Sequence, residues 1–262
     1  MYKRVLFCMI AFSLSEIFSS AAVLTRNADT DEILAKTEAE VIKQQNALEL
    51  KPVIEHAKLL IKEKGNGGVP NMIAIAGCSA VGKSFFANEL AELLEQEGIK
   101  VAILKGDNFL NPDQYDREHF HPWLDYKIAH ATIQRILDGE KSVHMPAWIP
   151  EELRPPSKTE MDFSVQGIDL ILFEGEFTLC DDEPYDFRRY SQFGIFIDAD
   201  GDDILGWDWV RPRGRVEKTK EEMMVNRRPY QERYRTYVRS SRDTAAYLLL
   251  KDRDHRYTLQ KN

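Results

Sequence analysis

The sequence predicts an α/β protein in which helices cover both faces of a mainly parallel β-sheet. Three observations predict this class. Short apolar runs typical of buried strands recur along residues 71–197. Segments with apolar residues at helical spacing lie between them. A glycine-containing loop joins the first apolar run to the first of these helices. Strands that alternate with helices in this way form a three-layer α/β/α sandwich.

The individual elements follow from the spacing of apolar residues. The predicted strands are 71–76, 100–105, 142–145, 169–173 and 194–197, and the predicted helices are 85–94, 125–137 and 217–239. Residues 28–66 also have amphipathic helical spacing, and Pro52 divides them into two helices. We predict that this region is a helical preface packed on the domain, and a hairpin that binds a partner is the alternative.

Size and charge limit the classes of function. The chain has 262 residues, 43% of them hydrophobic, which suits one sizeable α/β domain with an extension. The net charge of -8 argues against a nucleic-acid partner. Cys8, Cys78 and Cys180 show neither metal-ligand spacing nor a disulfide framework. The predicted organisation is a candidate signal peptide over 1–22, a helical extension over 23–68 and the main domain over 69–262.

The loop after the first strand reads G-C-S-A-V-G-K-S and matches the phosphate-binding loop of nucleoside triphosphatases and kinases. Backbone N–H groups of such a loop, with the N-terminus of the next helix, surround a polyphosphate. We predict that Lys83 reaches the β- and γ-phosphates and that the Ser84 hydroxyl ligates Mg²⁺. The implied cofactors are ATP and Mg²⁺. The predicted nucleotide-binding residues are Gly77, Cys78, Ser79, Ala80, Val81, Gly82, Lys83, Ser84 and Phe85.

Acidic residues follow two of the later strands. Asp107 comes after the strand 100–105, and Glu174 comes directly after the strand 169–173. Ligands of open α/β sheets bind beyond the carboxyl ends of the strands, so both acids should face the phosphate site. Phosphoryl transfer needs a phosphate cradle, Mg²⁺, a base and cations. Asp107 suits the base, and Glu174 suits a metal ligand or an acceptor of a substrate hydroxyl. The alternative for each is a helix cap or a turn acid.

Further motifs follow in a fixed order. They are G-D-N-F at 106–109, M-P-A-W at 145–148 with Arg154 downstream, I-L-F-E-G-E-F at 171–177, F-I-D-A-D at 196–200 and R-P-R-G-R at 211–215. Together with the loop, and over about residues 70 to 250, they resemble the uridine kinase/phosphoribulokinase family. Pantothenate and glycerate kinases belong to the same broader group. The resemblance implies the P-loop NTPase fold and phosphoryl transfer to a small molecule.

The resemblance also implies roles for individual residues. A lid over about 207–230 would bring arginines to the phosphates, although a charged run can also be a solvated helix face. The implied catalytic residues are Asp107, Lys83, Arg211 and Arg215. The implied substrate-binding residues are Asp107, Phe109, His121, Trp148, Arg154 and Glu174, and the implied metal ligands are Ser84 and Glu174. Two departures are Ala80, where the family often has glycine, and G-W-D-W at 206–209, where uridine kinases often carry arginines.

These residues lead to three hypotheses about function. The first is an ATP-dependent kinase that phosphorylates a hydroxyl of a small metabolite, with a nucleoside such as uridine as the first acceptor considered and pantothenate, glycerate or a sugar-type acceptor as alternatives. The second is a nucleotide-binding regulatory or interaction protein with little turnover. The third is a hydrolase that uses water as the acceptor. The sequence leaves a homo-oligomer open.

The N-terminal residues are relevant to where the protein is located in or outside the cell. Lys3 and Arg4 precede the apolar residues 5–14, and small residues follow at 19–22, which is the layout of a signal peptide cleaved near Ala21 or Ala22. The apolar stretch is too short to span a bilayer, so we predict no stable membrane span. Use of ATP favours the cytoplasm, whereas this layout favours export, and the sequence leaves both open.

Overall fold

The computed structural model describes residues 28–64, 68–111, 124–148, 159–210 and 231–262. The chain divides into two units, of which the first ends at Lys43 and the second runs from Gln44 to Asn262. The packing described below lies within the second unit. In the part of the chain that the structure describes, no helix combines the length and apolar character needed to cross a membrane.

The strands form a large sheet and a hairpin. They are β1 (Asn71–Gly77), β2 (Val101–Lys105), β3 (Ser142–Ala147), β4 (Thr159–Ser164), β5 (Leu170–Glu174), β6 (Phe193–Ala199), β7 (Tyr247–Lys251) and β8 (Tyr257–Lys261). The sheet has the order β2-β5-β1-β6-β7-β8, and every pair in it is parallel except β7–β8. β3 and β4 form a separate antiparallel pair. The carboxyl ends of five neighbouring strands therefore meet at one edge.

The helices are α1 (Ala28–Glu49), α2 (Lys51–Lys64), α3 (Lys83–Gln96), α4 (Tyr126–Leu137), α5 (Gly201–Val210) and α6 (Ser241–Thr244). Short 3₁₀ turns lie at Gly106–Phe109 and Phe187–Tyr190, and a π-helical turn lies at Tyr234–Val238. α1 and α2 are separated at Leu50, and Pro52 stands in the first turn of α2, where a proline costs no helical hydrogen bond. The predicted division of this region near Pro52 is thus confirmed.

β1 shows why the sheet has helices on both faces. Its side chains alternate between two separate apolar cores, as the period of a strand requires. Met72, Ala74 and Ala76 lie in the core that contains α4 and the β3–β4 hairpin. Ile73 and Ile75 lie in the core that contains α2 and α3. The predicted α/β/α layering is confirmed, and α2 packs on the domain as expected.

Some elements differ from the prediction. β3 extends to Ala147, two residues beyond the predicted end, and α4 begins at Tyr126 because the Asp125 carboxylate caps it, accepting from the Ile128 N–H at 3.1 Å. β4, β7 and β8 were not among the predicted strands. β4 and β8 are short strands of mostly polar, partly exposed residues, whereas β7 is a largely buried apolar run that the prediction missed. Most of the predicted helix 217–239 lies outside the described residues; its described end forms the π-helical turn.

Candidate functional site

The loop between β1 and α3 has the close packing that its glycines allow. Gly77 has a φ of +151° and Gly82 a φ of +102°, both in the region that favours glycine. A Cβ on Gly77 would lie 2.5 Å from the main-chain oxygen of Ile197 on β6. The loop therefore lies directly against the neighbouring strand, and α3 begins at Lys83 with its N-terminus beside the loop. This is the arrangement that phosphate-binding loops need.

Ser84 and Glu174 lie side by side at the centre of the site. The Ser84 hydroxyl donates a hydrogen bond of 2.8 Å to Glu174 Oε1. Glu174 ends β5, pairs in register with Ile75 of β1, and is 4% exposed. A hydroxyl next to a carboxylate offers the hard oxygen ligands that Mg²⁺ prefers. This pair can hold the metal predicted from the sequence.

The electrostatics of Glu174 reflect its neighbours. Burial raises the pKa of its carboxyl above the ordinary value, and the negative charge of Asp107 adds to the rise. The charge of Lys83, the hydrogen bond from Ser84 and the charge of Lys105 lower the same pKa. The charges of Lys83 in the loop and of Asp107, the candidate base, thus both affect the pKa of Glu174, the candidate metal ligand.

Asp107 reaches this edge because two glycines allow two strand ends to approach. It lies in the 3₁₀ turn that follows β2. A Cβ on Gly106 would come 3.2 Å from the main-chain oxygen of Glu174 and 3.3 Å from the Cα of Gly175. The G-D pair at 106–107 and the E-G pair at 174–175 therefore contact each other through their glycines. They place the two acids on neighbouring strands, as the strand-end argument predicts.

Lys83 lies at the mouth of the loop. Its Nζ donates a hydrogen bond of 2.9 Å to the main-chain oxygen of Cys78. Its charge also acts on Glu174. The lysine is therefore on the same side as the candidate metal pair, where a cation can contact phosphate oxygens.

The residues predicted to bind an acceptor divide into three groups. Trp148 is connected to the turn after β2, since its main-chain N–H donates to Asn108 Oδ1 at 3.0 Å. Phe109 is 1% exposed and belongs to the core that contains α4, so its side chain packs inside this core. It therefore supports the site through packing. His121 and Arg154 lie outside the described residues, as do Arg211 and Arg215, which were predicted to be catalytic, and the roles of all four stay predictions.

Two ion pairs near the strand ends were not anticipated. Arg233 Nη2 lies 2.7 Å from Glu176 Oε2, and both side chains are largely buried. Arg242 Nε donates to Asp198 Oδ2 at 2.8 Å, so the carboxylate of Asp198, at the end of β6, has an ion-pair partner within the protein. Arginines are frequent over residues 211–242 of the sequence, but which acid each arginine pairs with depends on how the chain returns to the sheet.

Ala80 carries a measurable strain. Its φ is +68°, a conformation that costs an L-residue roughly 1 kcal/mol or more. We expect Ala80→Gly to raise the free energy of unfolding by up to about 1 kcal/mol, and Ala80→Val to lower it by about 2 kcal/mol, because a branched side chain fits this conformation poorly. Urea denaturation measures both. Ala246→Gly is the control and should destabilise, since Ala246 has no positive φ. Equal effects of glycine at both positions would contradict the strain.

Glu174 should make the metal requirement depend on pH. A carboxyl with a raised pKa takes up a proton in competition with Mg²⁺ as pH falls. We expect the Mg²⁺ concentration for half-maximal turnover to rise as pH falls towards the raised pKa of this carboxyl. Glu174→Gln should raise it roughly tenfold or more and remove this dependence. The exposed Glu97→Gln is the control. An unchanged Mg²⁺ requirement in Glu174→Gln would remove this residue from the metal site.

Comparison with known proteins finds relatives named as pantothenate kinases and as uridine-cytidine kinases. No protein-family model matches the chain. The pantothenate kinase of Bacillus velezensis is 28% identical over 170 residues, which cover 58% of this chain and 53% of that protein. The uridine-cytidine kinase B of Dictyostelium discoideum is 27% identical over 144 residues, which cover 52% of this chain and 56% of that protein. The chain thus spans about half the length of the curated relatives it matches.

Solved structures agree on the fold. D-glycerate 3-kinase from Cryptococcus neoformans superposes with a TM-score of 0.59 at 10% identity, covering 81% of this chain and 99% of that one. Phosphoribulokinase from Rhodobacter spheroides superposes with a TM-score of 0.52 at 13% identity, covering 71% of each chain. At these identities the likeness establishes the fold alone. With the curated relatives, it confirms the resemblance predicted from the motifs: the chain is similar to members of the uridine kinase/phosphoribulokinase group, and it has the α/β fold of P-loop kinases.

Proposed function

We propose that the protein is an ATP-dependent kinase that transfers the γ-phosphoryl group to a hydroxyl of a small metabolite. The observation that carries the proposal is the contact of 2.8 Å between Ser84 in the phosphate loop and the buried Glu174, with Asp107 on the neighbouring strand. A loop that only binds a nucleotide does not need a second carboxylate beside its metal position. Phosphoryl transfer does, because the acceptor hydroxyl must lose its proton.

Each described residue has one task in this proposal. The loop amides and Lys83 bind the polyphosphate, and Ser84 and Glu174 hold Mg²⁺. The bound metal neutralises charge on the phosphates. Asp107 orients the acceptor hydroxyl and accepts its proton. Phosphoryl transfer forms a bond from the acceptor oxygen to phosphorus and breaks the bond between the γ-phosphorus and the oxygen that leaves with ADP. Arginines of the segment 211–215 are proposed to stabilise the developing charge.

The identity of the molecule that accepts the phosphoryl group is the more specific part of the proposal. The names of the relatives divide between pantothenate and uridine–cytidine, and a nucleoside was the first acceptor considered from the motifs. The ATP elements match the group's pattern, whereas G-W-D-W at 206–209 departs from uridine kinases. We therefore propose the reaction class and list uridine, pantothenate and glycerate as acceptors to be compared.

The test is ADP formation from ATP with each acceptor in turn. We expect one acceptor class to stimulate ADP formation well above the rate without acceptor, and Lys83→Ala to abolish the stimulation. Lys62→Ala, on the exposed face of α2, is the matched control. Phosphate release that no acceptor stimulates would indicate that the protein is a hydrolase and not a kinase. ATP binding with no turnover on any acceptor would favour the regulatory protein.

A further inference from the structure

A buried lysine at the carboxyl end of β7 contacts the phosphate loop from behind. Lys251 is 8% exposed, and its Nζ donates a hydrogen bond of 3.1 Å to the main-chain oxygen of Val81. The same Nζ lies 4.2 Å from the centroid of the Trp207 ring, within cation–π distance. A Cβ on Gly82 would come 2.9 Å from it. The ammonium is therefore fixed between the loop and an aromatic ring.

The contact with Val81 has a consequence for the next amide. In a trans peptide, the C=O of one residue and the N–H of the next point in opposite directions. A Val81 oxygen bound to Lys251 therefore turns the Gly82 N–H away from β7. Main-chain N–H groups are the groups with which a phosphate loop binds its ligand. Lys251 can thus set the orientation of an amide that it does not touch.

The surroundings of Lys251 make its charge sensitive to a ligand. Burial lowers its pKa to about 8, and the carboxylate of Glu89 offsets part of this fall. His255 stacks on Trp207 with ring centroids 5.0 Å apart. Burial lowers the pKa of His255, and the charge of Lys251 lowers it further. Titratable groups on the elements around Lys251 include Glu89 on α3, Asp208 on α5, Tyr257 on β8 and Cys78 in the loop. The β7–β8 turn adds Asp252, Arg253, Asp254, His255 and Arg256.

We propose that Lys251 is a positioning residue of the nucleotide site, which fixes the Val81–Gly82 peptide and adds a positive charge behind the phosphate loop. The proposal rests on the proposed nucleotide-dependent function and adds a residue that lies outside the loop motif. Lys251 acts through the loop, because its hydrogen bond goes to a main-chain oxygen on the loop's outer side.

The proposal predicts how affinity changes with pH. Phosphates bound in the loop favour the charged form of a nearby ammonium, so nucleotide binding raises the pKa of Lys251. By linkage, nucleotide affinity is full while Lys251 is charged in the free protein and falls as pH rises above about 8. Arginine stays charged throughout this range, so Lys251→Arg should bind with little dependence on pH.

The experiment is calorimetric titration with MgADP, which requires neither an acceptor nor turnover. We expect the wild-type affinity to be about tenfold lower at pH ~9.5 than at pH ~7.5. Lys251→Met should bind about tenfold more weakly at the lower pH and show no further fall. Lys251→Arg should bind nearly like the wild type at the lower pH and keep that affinity. Lys62→Met, an exposed lysine of α2, should follow the wild type.

Several outcomes overturn the proposal. One is a Lys251→Met protein with wild-type affinity, and another is a fall with pH that persists in Lys251→Arg, which would assign the titration to a different group such as Cys78. Circular dichroism checks folding, and if Lys251→Met does not fold, the wild type and Lys251→Arg decide the question. A wild type that binds no MgADP overturns this proposal together with the proposed function. MgADP binding with the expected pH profile but no acceptor-dependent turnover overturns the proposed function alone.

Discussion

Asp107→Asn is expected to lower acceptor-dependent ADP formation by about 10²- to 10⁴-fold while ATP affinity changes little. Asparagine has the shape of aspartate but cannot accept the proton of the acceptor hydroxyl. The turn that carries Asp107 is determined by the close approach of Gly106 to Gly175, which the substitution leaves intact. Steady-state rates at saturating ATP and acceptor measure the loss, and calorimetry with MgADP measures the affinity.

The matched control is Asp138→Asn, which removes a carboxylate at the end of α4, away from the site. It should keep the wild-type rate. An Asp107→Asn protein with the rate of the control would show that another group accepts the proton. Equal losses in acceptor-independent phosphate release and in ADP formation would instead indicate that water is the acceptor.

Lys83→Ala is expected to reduce turnover by at least about 10²-fold and to weaken ATP binding, because it removes a cation whose charge acts on Glu174 of the candidate metal pair. Folding should not suffer. Lys83 is the first residue of α3, where the positive end of the helix dipole disfavours a cation, and alanine is a better helix former. The free energy of unfolding should therefore stay the same or rise slightly.

Rate measurements and urea denaturation of the same preparation separate the two effects. Lys62→Ala on α2 provides the comparison for a lysine with no role in the loop. If Lys83→Ala lost activity together with several kcal/mol of stability, the loss would reflect unfolding, and the assignment of Lys83 to the phosphates would lose its support.

The loop and the central strands were predictable because their signals are local. Seven residues of β1 are fully or almost fully buried, and such a strand reads as a continuous apolar run. The loop motif fixes its own backbone through Gly77 and Gly82. The rule that ligands lie beyond strand ends then placed Asp107 and Glu174 on one edge without any knowledge of strand order.

Other features depend on contacts that sequence spacing does not encode. β4 shows polar residues at most positions, so its pairing with β3 left no apolar pattern. Phe109 was assigned to substrate from its place in G-D-N-F, but the 3₁₀ turn points its side chain into the core. Lys251 also ends a strand, yet the strand-end rule was applied to acids alone. The rule would have selected Lys251 only if the apolar run before it had been read as a strand and every ionisable residue at a strand end had been considered.

The position of Trp207 gives this protein an internal optical probe. The indole ring has its centroid 4.2 Å from Lys251 Nζ and stacks on the imidazole of His255 with centroids 5.0 Å apart, and the same ammonium donates a hydrogen bond to the phosphate loop. Indole emission depends on the charges and dipoles around the ring. A change in the loop can therefore reach the indole through one hydrogen bond and one cation–π contact, so we expect nucleotide binding to change the emission of Trp207, one of the four tryptophans of the chain.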